Sequence, residues 1–170
     1  MHFVYFQLPG GLIVKEKISS SIRIYNTARQ HLNSKQWALH SDVHGSRGKD
    51  KSHMFVSDVL REAGLNAPSA RPWFYGYAPI PSSEWGNRHS PIIHAHNCYH
   101  SVSVPILGDI VAFPNPRGHT HVGIVSPRGH FICTSDKKII EMKIPTNIKR
   151  LFWRYKDINL NEDSENYDWD

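Results

Sequence analysis

Residues 108–125 read GDIVAFPNPRGHTHVGIV. Two short runs of β-branched and aromatic residues, 110–113 and 121–125, flank a link containing Pro, Asn and Gly, a pattern that predicts two adjacent strands. Further runs at 131–134, 139–142 and 151–155 repeat it, so an antiparallel sheet of short strands is expected after Gly108. The link Ser126-Pro127-Arg128-Gly129-His130 suits a type I turn at Pro127-Arg128 followed by a left-handed Gly129, which pairs Ser126 with His130. Carried back along both strands, that register sets Gly123 against Cys133 and His121 against Ser135, with His121 and Cys133 on one face. A two-residue turn at Arg128-Gly129 would instead set Asp136 against His121.

Upstream, residues 49–64 read KDKSHMFVSDVLREAG. Phe55, Val56, Val59, Leu60 and Ala63 form one helical stripe, Asp50 can cap its start, and Gly64 can close its end. Ser52 then falls in the first turn. An earlier three- and four-residue spacing (Ile22, Tyr25, Ala28, Leu32) predicts a helix over 22–33, and the Gly- and Ser-containing stretch 40–50 a polar loop. Residues 1–21 read as an extended lead-in with a turn at Pro9-Gly10-Gly11. Residues 66–105 hold six of the eleven prolines with Trp73, Tyr75, Tyr77 and Trp85, which predicts an irregular insertion. The expected class is therefore α+β, with N-terminal helices packed on a C-terminal antiparallel sheet.

A chain of 170 residues suits one domain, drawn here as 1–155, followed by an acidic tail at 156–170. The tail has six acids and one lysine, which leaves the body with 19 basic and 9 acidic side chains, or +10. Such a body favours polyanions: nucleic acid, anionic cell-wall polymer or an acidic protein. The 39% hydrophobic share and 19 aromatics, with no long apolar run, exclude a disordered, collagenous or membrane-spanning chain. The early apolar stretch 12–14 is too short for a signal-peptide core, so no Sec-type export is expected. Cys98 and Cys133 lie 35 positions apart, which excludes CxxC motifs and a dense disulfide framework and makes two reduced thiols the simpler reading.

The strings at 49–64 and 108–125, in that order, resemble the papain-like NlpC-type and CHAP-type peptidoglycan peptidases and amidases, including amidase effectors delivered by type VI secretion. They span about a fifth of the chain. In that family a nucleophilic cysteine opens a buried helix shortly before a Phe-Val pair, and a histidine precedes Val-Gly-Ile or Val-Ala-Ile in a central strand. The resemblance implies a papain-like fold, residue 52 as nucleophile, His121 as base and Cys133 as the third residue that orients the base, with Asp136 as the alternative orienter. It further implies hydrolysis of an amide in a peptidoglycan stem peptide, no cofactor, delivery by a dedicated secretion machine to a target periplasm, and a cognate immunity protein.

Here position 52 is serine where that family has cysteine. A hydroxyl ionises far less readily than a thiol, although a neighbouring imidazole can activate it as a general base. An engineered substitution, a natural pseudoenzyme and a working serine enzyme all fit that residue. His119 is the rival base, since alternation points it the same way as His121. The segment His94-Ala95-His96-Asn97-Cys98-Tyr99-His100 alternates metal-capable residues. In a strand its ligands would sit ~7 Å apart, too regular for one tetrahedral ion, so no metal is expected. The chain has no RNA-binding aromatic strand motif, zinc finger or basic helix, which disfavours nucleic acid.

Overall fold

The computed structural model describes residues 3–7 and 13–157. Its architecture is α+β: short helices pack on a six-stranded antiparallel sheet, and a separate two-stranded hairpin leads in. The hairpin pairs β1 (Phe3–Gln7) with β2 (Ile13–Lys17), Phe3 opposite Lys17 and Gln7 opposite Ile13. The turn expected at Pro9-Gly10-Gly11 lies outside the described residues, as does the tail beyond Asp157. Lys156 and Asp157 are held by the body. Lys156 N donates to Cys98 O at 2.8 Å, and the Asp157 carboxylate accepts from Ser20 N at 3.2 Å.

Two helices cover one face of the sheet. The first, α1 (Ser20–Gln30), begins where the Ser19 hydroxyl accepts from Ile22 N. It ends three residues before the expected boundary, and Asn33 follows in a left-handed conformation, φ 69°. The second, α2 (Ser52–Glu62), forms where its apolar stripe predicts. Phe55, Val56, Val59 and Leu60 are all wholly buried, each contributing ~1.5–3 kcal/mol of transfer free energy. Gly64 closes the helix at φ 73°, a conformation open to glycine at little cost, and its N–H donates to Arg61 O.

The sheet order is β3-β8-β4-β5-β6-β7, built from β3 (Tyr99–Val102), β4 (Ile110–Pro114), β5 (Thr120–Ser126), β6 (His130–Thr134), β7 (Ile139–Lys143) and β8 (Leu151–Tyr155). Strand alternation divides its side chains between two cores. Val122, Ile124 and Ile132 join the helices in one cluster, while Val111, Phe113, Val125, Phe131 and Cys133 form a second. Gly108 feeds β4 at φ 84°, and a Cβ there would stand 1.9 Å from Ser21 O, so only glycine lets the start of α1 approach the sheet. A bidentate pair ties β8 to the start of β4: Arg154 Nε and Nη2 reach the two Asp109 carboxylate oxygens, each at 2.9 Å.

Two expectations need correction. The insertion at 66–105 carries regular elements: a 3-10 turn at Trp73–Tyr75, α3 (Ser82–Trp85), α4 (Pro91–His96) and strand β3, which pairs with β8. Two of its prolines sit at helix starts rather than breaking helices: Pro81 is the N-cap of α3, and Pro91 opens α4 behind Ser90, whose hydroxyl accepts from Ile93 N. The segment 94–100 is consequently extended only at its end: His94 and His96 finish α4, Asn97 caps it at φ 53°, and Tyr99 and His100 begin β3. The turn after β5 pairs Ser126 with His130 as the loop length requires. It is not type I, because Arg128 is left-handed at φ 60°, ψ 33°.

Candidate functional site

The start of α2 is built by three consecutive residues with different tasks. Asp50 is exposed, and its Oδ1 accepts from Ser52 N at 2.8 Å, which supplies the side-chain acceptor that Lys51, at the N-cap itself, does not. Lys51 is 1% exposed, and its ammonium donates to the carbonyls of Ala38 (2.9 Å), Leu39 (2.9 Å) and Lys49 (3.2 Å). Burial lowers its pKa, against the opposing charges of Asp42 and Asp50. Ser52 is wholly buried. The amides of His53 and Met54 take no acceptor among the described residues, so the positive end of the helix dipole keeps two free donors.

The Ser52 hydroxyl shares a hydrogen bond of 3.2 Å with that of Ser82, the first residue of α3, and Ser82 Oγ lies 3.4 Å from His53 Nδ1. Burial lowers the His53 pKa, against the charge of Asp50. A chain of three polar side chains therefore joins the helix start to the insertion.

His121 enters from β5. Its ring packs edge-on against Phe113 and Phe131, with centroids 5.8 and 5.9 Å away. Desolvation lowers its pKa and so favours the neutral imidazole, while Asp50 again acts in the opposite direction. The same Asp50 charge acts on Cys133, whose thiol is pushed up to about 12, chiefly by burial. A Cβ on Gly123 would lie 3.1 Å from Cys133 Cβ, as the expected register requires. Cys133 is wholly buried in the second apolar cluster, is a free thiol like Cys98, and makes no hydrogen bond among the described residues.

A cleft of about 440 Å³ opens between the 37–51 segment and the ends of β5 and β6. His121, His119, Asp50, Lys51, Ser135 and Asp136 line it. The structure thus brings His121, its rival His119 and the alternative orienter Asp136 to one cavity. It joins His121 to none of Ser52, Cys133 or Asp136 by a hydrogen bond among the described residues. Ser135, which the expected register sets against His121, spends its hydroxyl on the carbonyl of Lys138 at 2.7 Å.

Reading the sequence alone left out Lys51, His53 and Ser82. The lysine stands inside a charged string, KDK, and nothing in that string marks its ammonium as buried. Ser82 belongs to the proline-rich insertion and carries no local signal. Among the described residues no group of three or more His, Cys, Asp and Glu side chains is placed to hold a metal ion, and no helix is long and apolar enough to cross a membrane. No protein-family model matches the chain, and no curated protein matches its sequence.

Proposed function

We propose that the chain is a papain-like hydrolase of amide bonds in peptidoglycan stem peptides, with residue 52 as nucleophile and His121 as general base. The supporting observation is the start of α2: a helix N-terminus where Asp50 takes the Ser52 amide and leaves the next two unpaired, packed on the strand that carries His121 at the edge of a cleft. In that role residue 52 attacks the carbonyl carbon, and His121 takes its proton and returns it to the leaving amine. The His53 and Met54 amides hold the oxyanion. Phe113 and Phe131 pack against the imidazole, Cys133 is a neutral thiol in the same apolar cluster as those two rings, and Asp50 tunes the charge of His121. Stem peptide as substrate and papain-like as fold rest on the two motif strings.

A second reading, a cell-wall-binding pseudoenzyme on the same scaffold, is favoured by two observations: the Ser52 hydroxyl is buried and bonded to Ser82, and His121 stands on the face of β5 away from α2, in a cleft that Ser52 does not line. The two readings part in one assay. Purified sacculi are incubated with the chain and with Ser52→Cys, and released muropeptides are measured. The hydrolase reading expects release by Ser52→Cys at least about tenfold above the parent, because a thiol at a helix start ionises far more readily. His121→Ala in that background should abolish it. Binding of muropeptides without release by either protein selects the pseudoenzyme, and neither binding nor release removes both.

A further inference from the structure

The β4–β5 hairpin has a cavity on each side. The first is the His121 cleft. The second, about 410 Å³, lies between the loop after α3 and the segment entering β8. Its floor is apolar, formed by Ala112, Phe113, Pro114 and Leu151, and its rim carries Arg88, Lys149 and Arg150. Among the described residues no Asp or Glu lines it. The three cations are exposed and form no ion pair or side-chain hydrogen bond among the described residues. Three like charges around one apolar floor repel each other, and a cavity so lined attracts anions. Among the described residues no carboxylate is paired with them, and the neighbouring Glu84 is committed to the Ser90 hydroxyl at 2.5 Å.

The groove is close to His121 through the backbone. Thr120 lines it and directly precedes His121, and Phe113 in its floor pairs with His121 across β4 and β5. The wall is thin because the helical loop approaches at a glycine. A Cβ on Gly86 would lie 2.9 Å from Thr120 Cγ2.

We propose that this groove is a subsite for a short peptide bearing two or more carboxylates, held by Arg88, Lys149 and Arg150 while its small apolar side chains rest on the floor. The volume is that of a small-ligand pocket. Single-stranded nucleic acid fits poorly, since it binds through exposed aromatic platforms and the ring in this floor, Phe113, is only 7% exposed. The identification of the peptide as a cell-wall stem rests on the reading above; the anion subsite itself does not.

The test is calorimetric titration of the full chain with muropeptide monomers, and with the same monomers after their carboxylates are converted to amides. Each of Arg88→Gln, Lys149→Gln and Arg150→Gln should weaken binding roughly threefold, and the triple variant roughly thirtyfold, as near-additive rim charges do. Lys35→Gln, an exposed lysine elsewhere, should leave it unchanged. Amidated monomers should bind the parent about as poorly as native monomers bind the triple variant. The proposal is overturned by a triple variant within twofold of the parent, by amidated monomers binding equally well, by oligothymidylate competing at equal affinity, or by no muropeptide binding at all. If binding follows the rim charges while Ser52→Cys releases nothing from sacculi, the subsite stands and the hydrolase reading falls. If Ser52→Cys releases muropeptides at the same rate with and without the three charges at low substrate, the hydrolase reading stands and the subsite falls.

Discussion

The two faces of β5 are packed differently. Toward the helices stand Val122 and Ile124, both wholly buried; on the other face Val125 joins the second apolar cluster, but beside it stand His121, half-buried at the cleft, and Gly123, where no side chain would fit. One face fastens the strand to α2, and the other can therefore hold a polar ring and a close backbone approach that would contribute little to stability by themselves. Substitutions should divide accordingly.

The largest effect is expected at Phe55→Ala, which empties a wholly buried site beneath β5 and should cost ~3–5 kcal/mol in denaturant unfolding. His121→Ala should cost less than ~1 kcal/mol in the same measurement while abolishing hydrolysis by Ser52→Cys. Equal losses of stability would erase the division between the faces.

Gly123→Ala comes next. Its new methyl group would stand 2.6 Å from Ile132 O and 2.7 Å from Phe131 Cδ2, so the ladder between β5 and β6 must shift, at ~1–3 kcal/mol. A neutral result would show that the far face is loosely packed.

Acid should act more gently. Burial lowers the pKa of His53, His96 and His121 below the ordinary 6.5, so the folded chain binds these protons less readily than the unfolded one. The stability gained by keeping the rings neutral is complete above pH 6.5 and is lost as pH falls from there through the lowered values. Thermal unfolding followed from pH 8 to pH 5 should show that decline, reduced in His121→Ala. Identical profiles for the two proteins would mean that this ring titrates alike folded and unfolded.

The smallest effect sharpens the comparison without touching stability much. Asp50 favours the charged form of His121, so Asp50→Asn should move the His121 titration to still lower pH in an NMR series. A shift upward would sever the electrostatic link between the helix start and the strand.

The strands and α2 were legible because each declares itself locally: a run of β-branched residues in 120–126, an aromatic run in 151–155, and a stripe at Phe55, Val56, Val59 and Leu60. Register was legible for a sturdier reason. A three-residue loop sets Ser126 against His130 whether or not its first turn is type I, so the pairing survived an incorrect turn type, and the two-residue alternative at Arg128-Gly129 is not the one formed. The insertion was opaque because helices of four and six residues are too short to show a period and exist through tertiary packing, as Trp85 and Ile93, both wholly buried, do here. Ser52 and His121 were found through their surrounding strings. Lys51 was not, because its fate is decided by carbonyls two, twelve and thirteen residues away.

That lysine offers the molecule a built-in clock. An amine whose hydrogens are engaged by three carbonyls, at 1% exposure, has no lone pair to offer an acylating reagent until the 38–49 segment lets go. Once released, its chemistry is that of any surface amine. The rate at which Lys51 is acylated, read by mass spectrometry against the exposed Lys35, therefore counts how often this wall of the cleft opens, with no label to introduce and no residue to change.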